Sequence, residues 1–165
     1  PVKLAQGASS GYYIDTREVT LSAEGIVLSA DLFLSKIMEA GLRPVAVGGL
    51  ELGATPIICG IVRQSRETGE WGDGLSGFIV RRPAKNHGMK RQIEGPLLRR
   101  GSGVVIVDDV CTTGDSVRKA IEAARSMQWN VLAAICLVDR EEGAQIPVQH
   151  HSIFTAKELL ETPPA

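Results

Sequence analysis

The residues of this sequence whose types and order best fit a chemical role lie between positions 103 and 116. The stretch reads Gly-Val-Val-Ile-Val-Asp-Asp-Val-Cys-Thr-Thr-Gly-Asp-Ser. Its loop of small hydroxyl residues and glycine opens onto a predicted helix, where free backbone N–H groups and the helix dipole favour a phosphate dianion. The adjacent carboxylates of Asp108 and Asp109 suit hydrogen bonds from sugar hydroxyls. Sugar hydroxyls at one end and phosphate at the other describe a site for a ribose 5-phosphate.

The secondary structure predicted around this stretch would hold its polar groups in place. Residues 104–107 are a β-branched apolar run, long enough for a strand that is buried on both faces of a parallel sheet. We expect this strand to end at the Asp pair and a helix to begin near Asp115. The apolar residues on one face of that helix are Val117, Ala120, Ile121, Ala124 and Met127.

Other interpretations of this stretch are weaker. The stretch could have no ligand site and consist of a plain strand, a solvated Asp pair and a well-capped helix. This alternative requires paired acids and a loop suited to phosphate to occur together by chance. A receiver domain of a phosphorelay also has an Asp pair after a hydrophobic strand, but there the pair follows the first strand, and here strand-like runs precede it. No G-x-G-x-x-G follows a strand, which argues against a dinucleotide site, and no Walker A motif is present.

The composition limits the class of protein. With 165 residues, of which 44% are hydrophobic, the chain can bury a core, so we expect residues 1–165 to form a single domain. Residue 1 need not be the natural start, because a strand-like segment follows it almost at once. The net charge of −1 gives no argument for a nucleic acid partner. No apolar run reaches membrane-spanning length and no signal peptide is visible, so we expect no membrane partner.

The cysteines and the C-terminal histidines give no sign of a metal or disulfide site. Cys59, Cys111 and Cys136 are widely spaced and odd in number, and they match neither kind of framework. We therefore interpret them as reduced thiols of a cytoplasmic protein. His150 and His151 also lack metal-binding spacing, and we expect both on the surface.

The rest of the chain alternates strand and helix patterns, which predicts an α/β fold with a mainly parallel twisted sheet flanked by helices. The ligand would then lie across the carboxyl ends of the strands. Near the N-terminus, a hairpin with its tip at residues 7–11 leads into a short strand over 12–15, whose tyrosines could stack on a flat heterocycle. A plain hairpin with half-buried tyrosines is the alternative. The other predicted elements are a helix over 23–38 stopped by Gly41, a helix through 57–62, strands over 44–50, 77–81 and 131–138, and a short strand and helix over 153–160.

A basic segment begins at the end of the strand predicted over 77–81. Residues 81–91 read Arg-Arg-Pro-Ala-Lys-Asn-His-Gly-Met-Lys-Arg, without apolar periodicity, so we expect a mobile, positively charged loop. A solvated loop without function is the alternative. In a chain of balanced charge, however, cations gathered on one loop and acids at a sugar site suit a departing pyrophosphate.

Four motifs of this sequence resemble those of the orotate phosphoribosyltransferases, which are type I phosphoribosyltransferases. Residues 103–116 resemble the family's phosphoribosyl pyrophosphate (PRPP) motif, with two acids between a hydrophobic strand and a Thr/Gly loop. The opening Gly-x-Ser-Ser-x-Tyr-Tyr-Ile-Asp is similar to the substrate hairpin. The sequence Asp-Arg-Glu-Glu-Gly at 139–143 resembles the segment whose arginine pairs with the carboxylate of orotate. The catalytic-loop signature R-K-x-x-K-x-H-G is matched by Arg81, Arg82, Lys85, His87 and Gly88.

This resemblance implies a type I phosphoribosyltransferase-like fold with an N-terminal hairpin or hood. It implies transfer of the phosphoribosyl group from PRPP to orotate, giving orotidine 5′-monophosphate and pyrophosphate in UMP biosynthesis. Mg²⁺ would be bound mostly through PRPP, with Asp108 and Asp109 as candidate ligands. The family is homodimeric, so the basic loop would be shared across the subunit interface.

The resemblance also assigns individual residues to roles. The catalytic residues would be Arg81, Lys85, His87, Asp108 and Asp109. The residues that bind PRPP would be Arg82, Asp108, Asp109, Thr112, Thr113, Gly114, Asp115 and Ser116. The residues that bind orotate would be Tyr12, Tyr13, Thr112 and Arg140. For Arg140, an ordinary ion pair with Glu141 or Glu142 is the alternative.

Two places depart from the family's pattern. Residues 8–10, Ala-Ser-Ser, stand where members often carry Lys or Arg, and Glu51-Leu52-Gly53 stands where many carry a Lys in the pyrophosphate loop. Two alternative functions stay open. One is a phosphoribosyltransferase for another base, such as a purine, against which Arg140 and the Lys85/His87 loop argue. The other is a non-catalytic nucleotide-sensing regulator, which would have little use for cations that stabilise a leaving group.

Overall fold

The computed structural model describes residues 13–82 and 92–161, together with the backbone pairing of residues 2–3 and 9–10. Among the described residues, no helix combines the length and apolarity that a membrane span requires. The elements in chain order are β1 (Val2–Lys3), β2 (Ser9–Ser10), α1 (Arg17–Thr20), α2 (Ala23–Glu39), β3 (Ala46–Leu50), α3 (Ala54–Glu67), β4 (Ser76–Val80), β5 (Ile93–Glu94), β6 (Gly103–Cys111), α4 (Asp115–Ser126), β7 (Asn130–Asp139), β8 (His150–Thr155) and α5 (Ala156–Glu161).

Six of these strands form one sheet in the order β5-β4-β3-β6-β7-β8. All neighbouring strands in it are parallel except β5, which pairs antiparallel with β4 at one edge. Parallel neighbours need crossover connections, and α3 and α4 supply them between β3 and β4 and between β6 and β7. The predicted α/β fold is therefore confirmed, and the carboxyl ends of β3, β6 and β7 lie side by side.

The hydrophobic core lies on both faces of the sheet. Val105 and Val107 of β6 belong to the cluster that contains the buried residues of α2 and α3. Val104 and Ile106, which alternate with them, belong to the cluster that contains the buried residues of α4. A strand covered on both faces explains the continuous β-branched run in the sequence. The carboxyl edge of the sheet then presents the polar residues that follow the strands.

The central strand is longer than its apolar run. We expected β6 to end at Asp108 and Asp109, but it continues to Cys111, so that boundary was wrong. The reason is its neighbour, because β6 stays paired with β7 as far as Cys111 opposite Asp139. The two carboxylates are therefore held by a strand backbone and not by a loop.

The N-terminal segment also differs from the prediction. β1 and β2 pair as a short antiparallel hairpin, but β2 lies where the hairpin tip was predicted, and residues 13–15 are not a strand. The Asp15 carboxylate accepts hydrogen bonds from the backbone N–H and the guanidinium of Arg17, which turns the chain into α1. At the other end of the chain, β8 begins at His150, before the predicted start at residue 153.

The remaining boundaries agree with the prediction within a few residues. The helix predicted over 23–38 is α2, and the chain leaves it through Gly41, whose φ of +68° is readily adopted by glycine. The predicted strands at 44–50, 77–81 and 131–138 are β3, β4 and β7, and the helix predicted near Asp115 begins there.

Candidate active site

The loop between β6 and α4 forms a small hollow at the start of the helix. Residues Asp108, Val110, Cys111, Thr112, Thr113, Gly114, Asp115 and Ser116 line it. Gly114 has a φ of +78°, and a side chain there would come within 3.1 Å of Ile146. The first N–H groups of α4 have no partner inside the helix and are available to an anion in the hollow. Thr112 to Ser116 are thus brought together as predicted.

Arg118, which our sequence analysis missed, holds this loop in place. Its Nη1 donates to the carbonyl oxygens of Thr113 and Gln145, both at 2.8 Å. Its Nη2 pairs with the carboxylate of Asp115, one turn earlier on α4. Arg118 therefore joins the loop to the segment after β7 and compensates the charge of Asp115. The spacing of three residues between an acid and an arginine was the one signal of this pair in the sequence.

The carboxyl groups of Asp108 and Asp109 interact directly at the carboxyl end of β6. Asp108 is only 5% exposed. Its burial, and next the negative charge of Asp109, raise the pKa of Asp108 well above its usual range. Acids with a raised pKa bind a proton more readily than solvated acids do, and hydroxyl donors or a cation relieve the same unfavourable negative charge.

Asp109 also contacts the loop that follows β3. A side chain at Gly53 would collide with the Asp109 carboxylate, so this close approach requires glycine. Asp109 Oδ2 accepts a hydrogen bond from Thr16 Oγ1 at 3.3 Å. The Glu51-Leu52-Gly53 loop and the start of α1 thus reach the acid pair, and neither contact was predicted from the sequence.

The start of the basic loop is anchored by Glu51. The Glu51 carboxylate accepts a hydrogen bond from the backbone N–H of Arg82 at 3.0 Å, and Arg81 Nε lies 3.8 Å from its other oxygen. Arg81 also pairs with Glu94 at 3.5 Å. Glu51 therefore holds the Arg81 side chain and the Arg82 backbone next to the β3 loop, in which many members of the family that this sequence resembles carry a Lys. Lys85 and His87 lie outside the described residues.

Arg140 follows β7 and is held against the end of β6, directly before the loop that leads into α4. Its backbone N–H donates to the Cys111 carbonyl at 2.9 Å, and the residue is 7% exposed. Its Nη2 lies 2.8 Å from Glu142 Oε1, so the alternative ion pair that the sequence left open is present. Among the residues predicted for the base, Tyr13 is exposed and its hydroxyl accepts a hydrogen bond from Arg17 at 3.4 Å, whereas Tyr12 lies outside the described residues.

Two cysteines and a histidine that the sequence separates widely meet beside this loop. Ligand atoms of Cys111, Cys136 and His150 all lie within 4.8 Å of one another. His150 and His151 were predicted on the surface, but both are partly buried, and the His150 side chain is only 20% exposed. The cause is the pairing of β8 with β7, which brings the His150 ring to Cys136. Hydrogen bonding from Cys136, and then from His150, lowers the pKa of Cys111 to about 6, while the same contact with Cys111 raises the pKa of Cys136.

Comparison with known proteins agrees with this geometry. A model of the phosphoribosyl transferase domain matches residues 24–158. The orotate phosphoribosyltransferase of Aquifex aeolicus is 39% identical over 163 residues, which are 96% of this chain and 86% of the relative. The enzyme of that name from Rhodopirellula baltica is 42% identical over 146 residues, 85% of this chain and 72% of the relative. The crystal structure of Mycobacterium tuberculosis H37Rv orotate phosphoribosyltransferase in complex with PRPP has a TM-score of 0.76 at 28% identity, covering 96% of this chain and 88% of that one.

Proposed function

Because this chain belongs to the orotate phosphoribosyltransferase family of phosphoribosyl transferase domains, we propose that it transfers the phosphoribosyl group of PRPP to orotate. The products are orotidine 5′-monophosphate and pyrophosphate. The observation that carries this proposal is that Asp108, the neighbour of Asp109 on β6, lines the hollow at the start of α4. A ribose 5-phosphate fits between these two features, with its hydroxyls on the acids and its phosphate in the hollow.

The loop from Thr112 to Ser116 would bind the 5-phosphate through backbone N–H groups and hydroxyls. The helix dipole of α4 adds positive potential at the same point. The carboxylate of Asp115 would repel a phosphate, but Arg118 compensates its charge. Asp115 therefore contributes its backbone N–H group to the site, and Arg118 keeps the loop in position.

Catalysis would depend on the charge that develops as the bond between C1 of the ribose and the pyrophosphate breaks. Positive charge grows on the ribose ring, which the Asp108/Asp109 pair stabilises from the hydroxyl side. Negative charge grows on the pyrophosphate, which faces the basic loop. In this proposal Arg81, Lys85 and His87 stabilise the leaving group, and Arg82 contributes to PRPP binding. The contacts of Glu51 hold the Arg81 side chain and the Arg82 backbone beside the β3 loop of the same subunit.

Mg²⁺ fits the same acids. The raised pKa of Asp108 indicates that a positive charge near the two carboxyl groups is favourable. Carboxylate oxygens are also ligands that Mg²⁺ prefers. Asp108 and Asp109 would hold the ion together with oxygens of PRPP. When bound, Mg²⁺ neutralises the pyrophosphate and makes it a better leaving group.

Orotate would be selected by Arg140. A guanidinium can bind a planar carboxylate through two parallel hydrogen bonds, and uracil and the purines lack that carboxylate. In the structure the Glu142 carboxylate is paired with the guanidinium of Arg140. Orotate would displace it and pair its own carboxylate with Arg140. Tyr12 and Tyr13 would cover the base from the N-terminal hairpin, and Thr112 would contact it from the loop.

Pyrophosphate release from PRPP with orotate, uracil and hypoxanthine, measured side by side, tests the function. We expect turnover with orotate and little with the other two. Turnover with hypoxanthine instead would establish a purine enzyme. Tight PRPP binding without turnover on any base would establish a non-catalytic nucleotide-sensing regulator.

Arg118→Ala is expected to weaken PRPP binding selectively. Because the two carbonyl contacts and the Asp115 pair disappear together, we expect KM for PRPP to rise about 10-fold, the equivalent of one charged hydrogen bond. KM for orotate should change little. Arg125→Ala is the matched control, since Arg125 lies on the same helix and its side chain donates to the Pro147 carbonyl at 3.3 Å. Equal rises in both KM values would contradict the positioning role.

We propose a homodimer in which each basic loop serves the neighbouring site. Large apolar side chains are exposed along α1, α2, β8 and α5, where a partner subunit would cover them. Those that line one groove are Val19, Leu28, Leu32, Phe154 and Leu159.

We also propose that residues 1–165 form one domain and act in the cytoplasm, where free thiols such as Cys59, Cys111 and Cys136 are stable.

Mixed dimers test the shared loop. Lys85→Ala and Asp109→Asn should each be nearly inactive, but the heterodimer contains one site with both wild-type groups. Random pairing after co-refolding in equal amounts should therefore recover about one quarter of the wild-type activity. Each variant refolded alone is the control. Heterodimers demonstrated by mass spectrometry without recovered activity would show that the loop serves its own subunit.

A further inference from the structure

Cys111, Cys136 and His150 have no part in the proposed transfer reaction, yet they converge at the wall of the phosphate loop. Their ligand atoms lie within 4.8 Å of one another, and Cys136 Sγ is 3.4 Å from His150 Nε2. Cys111 and Cys136 are almost fully buried, whereas His150 is half-buried and connects the cluster to solvent. The three side chains come from three neighbouring strands, β6, β7 and β8.

The types of the three side chains specify the ligand class. Two thiols and an imidazole are the donors that Zn²⁺ and similar borderline-soft cations prefer. Mg²⁺ prefers oxygen donors, so the cluster is distinct in chemistry from the Asp108/Asp109 site. A disulfide would use the two sulfur atoms alone and would leave the contact between Cys136 and His150 without a role.

The surroundings of His150 fit a metal ligand. His150 Nδ1 faces Asp139 Oδ2 at 3.8 Å, so that Nε2 is directed to the sulfur side. A carboxylate behind the second nitrogen is the usual partner of a metal-binding histidine, because it sets the ring orientation and the tautomer. On metal binding the two thiols lose their protons to solvent.

We propose that Cys111, Cys136 and His150 form a Zn²⁺ site with three protein ligands and solvent as the fourth. The ion would tie together β6, β7 and β8. Cys111 directly precedes Thr112, and its carbonyl accepts a hydrogen bond from the backbone N–H of Arg140. Zinc occupancy would therefore restrain both the phosphate loop and the start of the Arg140 segment.

Titration of the reduced, metal-free full chain with Zn²⁺ in excess Mg²⁺ tests this site. We expect one high-affinity ion per chain. At 100 times the dissociation constant, the thermal midpoint should rise by roughly 5–10 °C. Titration with Co²⁺ should give the thiolate-to-cobalt charge-transfer absorption and the d–d bands of a tetrahedral ion.

Variants locate the ion. Cys136→Ser and His150→Gln should each weaken binding by more than about 100-fold. Asp139→Asn removes the charge behind the imidazole but keeps an oxygen that can accept from the Glu141 N–H, and it should weaken binding by about 10- to 100-fold. Cys59→Ser and His151→Gln are matched controls that should bind as the wild type does, since Cys59 is exposed on α3 and His151 is outside the cluster. Circular dichroism verifies that each variant is folded.

Three results would overturn the proposal. One is Zn²⁺ affinity that Cys136→Ser and His150→Gln both leave unchanged. Another is a Co²⁺ complex without thiolate absorption, or with absorption that Cys59→Ser removes. The third is a reduced chain that takes up no Zn²⁺ and instead loses two thiols to a disulfide between Cys111 and Cys136 on mild oxidation.

Discussion

Replacing Asp108 and Asp109 together by Asn is expected to lower kcat by at least two orders of magnitude, about 3 kcal/mol in barrier. The double variant keeps the shape of the pair but removes its negative charge and replaces one acceptor oxygen of each side chain by an amide donor. The charge on the ribose ring and any Mg²⁺ would then lose their counter-charge at the moment the bond to pyrophosphate breaks. Initial rates of pyrophosphate release measure the effect.

The two acids should not contribute equally. Asp108 has a raised pKa and keeps its proton more readily, so Asn at this position resembles the protonated acid. We therefore expect Asp109→Asn alone to cause the larger part of the loss. Asp73→Asn is the control, since Asp73 is an exposed residue that pairs with Arg66 and lies far from Asp108 in the sequence. Near-normal turnover of the double variant would exclude a role of the pair in catalysis.

The same pair should leave a signature in stability. Because the pKa of Asp108 is raised in the folded state, its contribution to stability is greatest at low pH and is lost as the pH rises above the ordinary value of 3.8. The double Asn variant has no such loss. Its thermal midpoint should therefore gain on that of the wild type as the pH increases, and a midpoint well below the wild type at neutral pH would indicate structural damage.

Replacing Arg140 by Ala is expected to affect orotate far more than PRPP. A bidentate, charge-assisted contact is worth roughly 2–3 kcal/mol, which corresponds to about 30- to 150-fold in kcat/KM for orotate. Arg140→Lys should recover little, because an ammonium group cannot form the planar pair of hydrogen bonds. Steady-state kinetics with each substrate varied separately measure the difference.

Glu142 gives this experiment a matched control. It pairs with Arg140 at 2.8 Å, so Glu142→Gln should leave the guanidinium in place and remove its competing carboxylate. If Arg140 binds orotate, KM for orotate should fall in Glu142→Gln. Because Arg140 is only 7% exposed, a purely structural role would affect both substrates alike. Equal losses for orotate and PRPP would identify a structural arginine whose partner is Glu142.

The central part of the fold could be predicted from local patterns in the sequence, and the same patterns indicated the type of site. The β-branched run before Asp108 could be stable only as a strand covered on both faces, and the Thr/Gly loop after it could lead only into a helix start. Both signals are local, because they arise from residues that are neighbours in the chain. The order of the four motifs added the resemblance to a family, which the comparisons support.

The tertiary structure decided how the site is held together. β6 extends to Cys111 because it pairs with β7. Arg82 is positioned by its hydrogen bond to Glu51. Asp109 reaches the neighbouring loops because Gly53 leaves room for it and Thr16 donates to it. These partners lie far away in the sequence, and no local pattern encodes their pairing. The spacing of Asp115 and Arg118 indicated their ion pair in the sequence. It did not indicate the contact of Arg118 with Gln145, which lies in a different part of the chain.

The meeting of Cys111, Cys136 and His150 shows the same limit most clearly. The spacing of the cysteines and histidine along the chain argued against a metal site, because familiar metal motifs have ligands a few residues apart. The sheet brings their three strands side by side, so a spacing of many residues becomes a separation of a few ångströms between ligand atoms. Strand order is set by how the whole chain buries its apolar residues, and only the folded structure contains that information.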